Sequence, residues 1–203
     1  TYEDGDGTLD FSVSGGSGIT HKLEGTNFTG SVIVGHDTTG TLDAATDNTA
    51  LGLGALDAIT SGDDNVAIGK DALSLNTSGS ANTAVGNQAL DANTTAGNNV
   101  AIGSGSLGSN TTGEDNTALG TGALNANTTA DDNTGLGYLA LVSNTTGANN
   151  TSVGRSALNT NTTGSSNVGL GFQALYSATT ADDNTAVGHN ALFNNTTGAL
   201  NTA

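Results

Sequence analysis

Pairs of acidic residues recur along this chain, and they are the first residues whose type and spacing suggest chemistry. The pairs are Asp63-Asp64, Glu114-Asp115, Asp131-Asp132 and Asp182-Asp183. The middle two pairs are 17 residues apart, so a chain that coils with this period would stack four carboxylates about 4.8 Å apart. Such a cluster could attract Ca²⁺, which prefers oxygen ligands. Because repeats with Ser-Ala, Gly-Asn or Ser-Ser in the same place lie between the other pairs, a solvated edge that keeps the protein soluble is the favoured interpretation and Ca²⁺ is the alternative.

A second candidate site consists of large side chains at two positions of a 17-residue unit, which we number from 1 at Asn48. Apart from Leu53, the early units carry small or polar residues at positions 6 and 10. The late units carry Tyr138, Arg155, Phe172 and His189 at position 6, and Val142, Tyr176 and Phe193 at position 10. Stacking of the units would gather these side chains into one patch. Aromatic rings beside an arginine can bind a sugar or a protein, and they can equally cover a neighbouring chain or the next module of a fibre.

The residues of an enzyme active site are not evident. His21, His36 and His189 share no phase of the repeat, and the chain has no cysteine. Polysaccharide-cleaving β-helices use Asp, Glu and Arg on one face, whereas the only arginine here is Arg155. We therefore expect no enzymatic activity, with a polysaccharide lyase or hydrolase as the enzymatic alternative.

Charge and hydropathy exclude two classes of partner. The net charge of −16 repels nucleic acid and anionic membranes. No run of 18 apolar residues occurs, so the sequence predicts no membrane insertion. The paucity of aromatic residues, at 3%, is unusual for a globular core of this length.

An unbroken period of 17 residues organises the chain from Asn48 onward, and it dictates the fold. The unit reads N-[TV]-[AGS]-[LIV]-G-x-x-[AS]-L-x-x-[NIA]-T-[TS]-[GA]-x-x. A 17-residue unit is too short for a helical hairpin repeat, and Gly, Asn and Thr interrupt it every few residues. We predict an all-β fold, a parallel β-solenoid or β-roll with 17-residue coils. Each coil would contain two short strands joined by turns at the first Gly and at N-T-T-G.

The alternation within the first strand predicts which residues form the core. Positions 2 and 4 point to one side of the strand, and Asn, the small residue and Gly point to the other. With the leucine at position 9, the aliphatic side would form the core between stacked coils. The small side would then let another chain approach closely. Two large aliphatic residues per coil make a thin core, so we expect self-association.

Two columns of polar residues are predicted to connect the coils. The Asn at position 1 would form a ladder of side-chain amides, each donating to the next coil. Its members are Asn65, Asn82, Asn99, Asn116, Asn133, Asn150, Asn167 and Asn184. Threonine occupies position 13 in all nine complete units, and its hydroxyls could form a similar column. N-x-[ST] sequences such as Asn93-Thr94-Thr95 are interpreted as turns rather than as glycan acceptors.

The chain divides into three segments by repeat content. Residues 1–30 lie outside the repeat and show strand patterns at Thr8–Val13 and Ile19–Leu23, so we expect a β cap or the end of a preceding module. Residues 31–47 have the length of one unit but lack most of its motif, as a degenerate first coil would. Residues 48–203 form the solenoid, which is expected to continue beyond this chain.

Units such as Asn65–Leu73 (NVAIGKDAL), Asn82–Leu90 (NTAVGNQAL) and Asn99–Leu107 (NVAIGSGSL) resemble known repeats. They are similar to the S-V-A-I-G repeats of YadA-like heads of trimeric autotransporter adhesins. They are equally similar to repeats in the tail or neck fibres of tailed phages. The adhesin resemblance covers Asn48–Ala203 and implies a left-handed parallel β-roll with three chains side by side as a homotrimer. Adhesin heads commonly use a shorter coil, so handedness and trimer geometry stay open, and the extra N-T-T-G segment favours phage fibres.

The resemblance implies a fibrous structural and adhesive protein, the shaft or head of a phage host-attachment fibre. Its partners would be further copies of itself and a cell-surface glycan or protein receptor. Its location would be a virion fibre, or the extracellular surface if the alternative, a bacterial trimeric adhesin, holds. An ice-binding β-solenoid is the second alternative, because the threonine column is long. Ice-binding faces usually present T-x-T, however, and here position 2 alternates between Thr and Val.

Overall fold

The computed structural model describes residues 45–203 throughout and, before them, the backbone of four short strands. These are β1 (Tyr2–Glu3), β2 (Leu9–Asp10), β3 (His21–Lys22) and β4 (Val32–Val34). Strands β1 and β2 pair antiparallel as a separate two-stranded sheet. Strand β3 pairs antiparallel with β4, which is itself parallel to the strand that follows. The remainder of the predicted strand patterns at Thr8–Val13 and Ile19–Leu23 lies outside the described residues.

Nine further three-residue strands stack in sequence order. They are β5 (Thr49–Leu51), β6 (Val66–Ile68), β7 (Thr83–Val85), β8 (Val100–Ile102), β9 (Thr117–Leu119), β10 (Thr134–Leu136), β11 (Thr151–Val153), β12 (Val168–Leu170) and β13 (Thr185–Val187). Each strand pairs parallel with the next, and partners are one period apart, as Thr117 with Thr134. With β3 and β4 they form one 11-stranded sheet. The prediction of an all-β parallel β-solenoid with 17-residue coils is confirmed.

Each described coil contains one strand, so the prediction of two was wrong. The second strand was expected near N-T-T-G, where backbone groups do bond between coils. There, however, the N–H groups of Thr60 and Ser61 both donate to the carbonyl of Thr77, at 2.9 and 3.0 Å. Two consecutive donors on one acceptor form a turn rather than a ladder, because residues of a strand point their N–H groups alternately to either side.

The orientation of the strands is the opposite of the one predicted. The small side faces inward: Ala67 and Ala118 are fully buried. The aliphatic residues at position 4 face outward, with 37% of Ile68 and 43% of Leu119 exposed. The small side is therefore not a surface for another chain. The coil is too narrow to hold a large side chain from the strand as well as the leucine from the opposite corner, so only alanine, glycine or serine fits at position 3.

The leucines at position 9 form the centre of the core. Eight of them, from Leu56 to Leu175, are completely buried. Each adopts a left-handed backbone conformation, as Leu124 does with φ of +52°. This conformation costs about 1–2 kcal/mol for a residue with a Cβ. Full burial of a leucine side chain contributes about 1.5–3 kcal/mol, enough to offset that cost.

The glycine at position 5 ends each strand and has no substitute. Gly120 has φ of +135°, and a Cβ there would lie 2.5 Å from the carbonyl oxygen of Gly137 in the next coil. Consecutive coils thus approach each other closely, backbone to backbone, at this corner. A Cβ at position 5 would meet the backbone of the next coil in the same way from Gly52 to Gly171, and Gly188 shares the positive φ, at +130°.

Candidate functional site

The asparagines at position 1 form a continuous ladder in the interior. From Asn65 to Asn201, the backbone N–H of each donates to the side-chain oxygen of the Asn in the preceding coil, at 3.0 Å in every case. In most coils the side-chain amide donates to the same oxygen, as Asn116 Nδ2 does to Asn99 Oδ1 at 3.2 Å. Donation therefore runs to the preceding coil, opposite to the predicted direction. The ladder fixes the register of the stack.

A second asparagine ladder, which the sequence analysis did not identify, runs through position 12. The side-chain amides of Asn93, Asn110, Asn127, Asn144 and Asn161 each donate to the Oδ1 of the Asn one coil earlier, at 2.9–3.4 Å. These asparagines are fully buried. The signal was visible, because Asn occupies position 12 in seven of the nine complete units. Their burial makes these five asparagines inaccessible to glycosylation in the folded protein, in keeping with the turn interpretation.

The second ladder is interrupted near the C-terminal end of the stack. Ala178 stands where the next Asn would be, and Asn195 occupies the position one coil further on. As a result Asn161 Oδ1 is the one buried side-chain polar atom without a hydrogen-bond partner in the described part of the chain. An unsatisfied buried acceptor typically costs about 1–3 kcal/mol.

The two ladders meet at the carbonyl of position 15. The oxygen of Gly79 accepts from Asn65 Nδ2 and from Asn76 Nδ2, both at 2.9 Å. The same arrangement recurs at Ala130, which accepts from Asn116 and Asn127 at 2.8 and 3.0 Å. These shared carbonyls connect two sides of each coil across the interior, so the polar residues inside the solenoid are a structural network rather than a reaction site.

The threonines at position 13 also connect the coils. Each hydroxyl from Thr60 to Thr179 donates to the backbone carbonyl of the threonine in the next coil, at 2.9–3.3 Å. The column therefore forms through hydroxyl-to-carbonyl bonds, and its hydroxyl protons are already used within the protein.

The acidic pairs occupy positions 16 and 17 of the unit, and the carboxylates at position 16 have a structural role. Asp63 Oδ1 accepts from the N–H and the hydroxyl of Thr46, at 2.8 and 2.9 Å. Asp131 and Asp182 accept the N–H groups of Glu114 and Ser165 in the same way. Each carboxylate thus caps a backbone donor of the preceding coil. Among the described residues no group of three or more acidic or histidine side chains is arranged to hold a metal ion.

The late residues at position 6 form one column, which we call the position-6 stack. The rings of Phe172 and His189 are stacked, with centroids 5.3 Å apart and planes 13° from parallel. The guanidinium carbon of Arg155 lies 5.8 Å from the ring centre of Tyr138 and 5.7 Å from that of Phe172. Arg155 is thus sandwiched by two cation–π contacts, which hold an exposed cation on the surface.

The aromatic residues at position 10 form a separate contact. Tyr176 and Phe193 stack with centroids 5.1 Å apart and planes 5° from parallel. The ring contacts in the structure run along each column, and none joins position 10 to position 6 among the described residues. In both columns the ring faces are turned towards the neighbouring coils. Sugars bind aromatic residues through the ring faces, so these residues offer a partner mainly their edges and the N–H groups of Arg155.

Six of the nine aliphatic residues at position 4, which were predicted to lie in the core, are exposed. We call the outward side of strands β5–β13, formed by positions 2 and 4, the aliphatic face. Its position-4 members are Leu51, Ile68, Val85, Ile102, Leu119, Leu136, Val153, Leu170 and Val187. They lie in a column along the whole stack, because partners in the sheet are in register. A continuous apolar surface of this length is typical of an interface.

One carboxyl has an altered pKa. Burial raises the pKa of Asp91, and the neighbouring Asp71 carboxylate raises it further, against hydrogen bonds from the Asp91 and Ala92 backbone. Asp91 occupies position 10, where other units carry Asn125 and Asn159. The latter two donate to position-7 carbonyls of the preceding coil. A charged carboxylate is therefore a poor fit at this position.

The fold and its ladders define the chain as a tandem-repeat parallel β-solenoid. No family model, no curated protein and no solved structure matches it significantly. The described residues contain no helix long and apolar enough to cross a membrane.

Proposed function

We propose that the chain is a fibrous, non-enzymatic structural and adhesive protein that associates with further copies of itself through the aliphatic face. The observation that carries this proposal is the position-4 column of leucine, isoleucine and valine along nine coils, of which six side chains are exposed and three are half-buried. A free monomer would expose this column to water, whereas side-by-side copies would bury it. Nine strands span about 43 Å, and three residues span about 10 Å, so the flat area is roughly 430 Å² per copy.

That area indicates how the copies must meet. Each partner buries about 800 Å² in a standard specific interface. The flat face supplies about half of this value, so residues flanking the strands must also contribute. A closed ring of three copies, with the aliphatic faces turned towards a common axis, would bury the face and both flanks together.

Within this assembly the proposed role is a shaft or head of a phage host-attachment fibre, on the tail or neck of a virion. The sequence resemblance supports this role, and the ladders of asparagine and threonine supply the stiffness it requires. A bacterial trimeric surface adhesin is the alternative. In either case the ring edges of the Tyr176–Phe193 pair and the guanidinium of Arg155 form the exposed contact for a cell-surface protein or glycan. Loss of binding of the labelled protein to host cells on Arg155→Ala, with an unchanged melting temperature, would support this contact, and unchanged binding would exclude it.

Ice binding is a weaker second alternative. This alternative was based on the threonine column at position 13. The hydroxyls of that column donate to carbonyls of the next coil, so their protons are not available to water. The exposed column at position 14 is a single row of Thr or Ser. A measurement of thermal hysteresis would support this alternative if it detected any activity.

Light scattering of the purified protein tests the proposed assembly. We expect a mass near three chains for the unaltered protein. The paired variant Ile102→Lys and Leu119→Lys places two charges on the aliphatic face and should reduce the mass to one chain. Thr129→Lys, at exposed position 14 of the same coil as Leu119, is the matched control and should leave the mass unchanged. A monomeric unaltered protein would refute self-association through this face.

A further inference from the structure

All the basic residues of the repeats lie at one phase of the coil. Between Asn48 and Ala203 the only lysine, arginine and histidine are Lys70, Arg155 and His189, and all three occupy position 6. All are exposed. Position 6 follows the strand, so these side chains line the edge of the aliphatic face where each strand ends. This edge is the one place on the acidic repeat region that can complement a negative partner.

The opposite edge of the aliphatic face carries free carboxylates. Position 17 precedes the strand, and Asp64 and Asp183 occupy it. Both are exposed, and no hydrogen bond or ion pair reaches either carboxylate from the part of the chain that the structure describes. They differ in this respect from Asp63 and Asp182, which cap backbone N–H groups.

The two edges cannot meet within one chain. Asp64 and Lys70 lie at opposite ends of strand β6, which is extended between them. Lys70 instead contacts its neighbour Asp71 at 2.8 Å, with 60% of the lysine side chain exposed. An exposed ion pair of this kind contributes little to stability, so it leaves Lys70 available to a further partner.

We propose that in the self-associated protein the position-6 edge of one copy contacts the position-17 edge of the next copy at the same coil level. Lys70 would then meet Asp64 of the neighbour, and His189 would meet its Asp183. This inference rests on the proposed self-association. In a closed ring with the aliphatic faces inward, the end of each strand adjoins the start of the neighbour's strand, which is a heterologous contact. It also supplies the flanking area that the aliphatic face lacks.

The other coil levels fit the same pairing. Asp115 and Thr121 flank one strand, with the acid before it and the position-6 residue after it. Asp132 and Tyr138 flank the next strand in the same way. Every acidic pair thus lies level with a position-6 side chain that has a hydrogen-bond donor. Arg155 lies level with Asn149 rather than with an acid. Its charge is held by the rings of its own stack instead, so at this level the contact between copies does not use Arg155, which stays available to the proposed receptor.

Cysteine cross-linking tests the contact cleanly, because the chain has no cysteine of its own. We expect the double variant Asp64→Cys, Lys70→Cys, treated with a short bismaleimide, to give covalent dimers and trimers on a denaturing gel. Either single variant should stay at the mass of one chain, because like edges do not meet in a heterologous ring. The mismatched control Asp132→Cys, Lys70→Cys separates the two thiols by four coils, about 19 Å along the stack, and should not cross-link.

The outcomes separate this inference from the proposed function. Light scattering that gives three chains, combined with no cross-link in the matched double variant, overturns the edge contact and leaves self-association standing. Cross-linking of a single variant would indicate a symmetric contact and would also overturn it. A mass of one chain overturns both proposals. As a second measurement, Lys70→Glu should weaken association, and adding Asp64→Lys to it should restore most of the loss.

Discussion

Completing the interrupted asparagine ladder should stabilise the protein. The substitution is Ala178→Asn, which places an amide between Asn161 and Asn195. Its Nδ2 would donate to the unsatisfied Asn161 Oδ1, and its Oδ1 could accept from Asn195 Nδ2. The side chain fits, because Asn127 occupies the same position in a coil that, like this one, has alanine at position 15.

The size of the effect follows from the hydrogen bonds gained. Satisfying a buried acceptor recovers about 1–3 kcal/mol. Ordering the longer side chain costs part of this, up to about 1 kcal/mol. We therefore expect a net gain of about 1–2 kcal/mol. For a folded unit of this size 1 kcal/mol shifts the melting temperature by about 2–4 °C, so the expected rise is about 2–8 °C.

Thermal unfolding followed by circular dichroism at fixed protein concentration measures this rise. Ser177→Asn is the matched control, because it adds the same amide one residue earlier, outside the ladder, and should change little. Asn127→Ala makes the converse break in the middle of the ladder and should destabilise by about 1–3 kcal/mol. If Ala178→Asn lowers the melting temperature while Asn127→Ala has no effect, the ladder does not stabilise the stack and the reasoning is wrong.

Three further substitutions test other features of the coil. Asp91→Asn should raise the melting temperature at neutral pH. Because burial raises the folded-state pKa of Asp91, stability is retained below the unfolded pKa of about 3.9 and lost as pH rises through the folded value. The advantage of the variant should therefore vanish below about pH 4 in a pH series of melts. Gly120→Ala should cost more than about 3 kcal/mol by denaturant unfolding, because a Cβ there meets backbone. Gly122→Ala, where the Cβ meets a movable leucine side chain, should cost less, and equal costs would contradict the steric argument. Leu124→Ala should cost about 2–5 kcal/mol in the same assay, and a loss below about 1 kcal/mol would mean that the leucine column is not the core.

The period and the identity of the repeated residues determined most of the architecture. Seventeen residues without an insertion require coils of constant length, and stacked coils place like residues above like. The asparagines of position 1 and the threonines of position 13 could therefore be identified as columns from the repeat pattern alone. The direction of donation could not be predicted from the repeat pattern. Donation to the preceding coil and donation to the next coil would satisfy the same asparagines, and only the path of the backbone between coils distinguishes the two.

The candidate site was predicted in composition but not in arrangement. Tyr138, Arg155, Phe172 and His189 do lie in one column, as the common phase requires. The expected single patch divides into two columns, since left-handed residues at positions 7 and 9, such as Gln173 and Leu175, turn the chain sharply between positions 6 and 10. These corners could not be predicted from the sequence, because leucine and glutamine rarely adopt a left-handed backbone conformation.

The sequence by itself determined the coil length, the parallel stacking and the residues that repeat. Only the tertiary structure decided which side of each strand is interior. In strand Thr117–Leu119 the threonine and the leucine point to one side and the alanine points to the other. The sequence analysis placed the larger apolar residues inside, which requires an interior wide enough to hold them. In a 17-residue coil the leucine from the opposite corner fills that width. The alanine must therefore face inward, and the aliphatic residues are left on the surface.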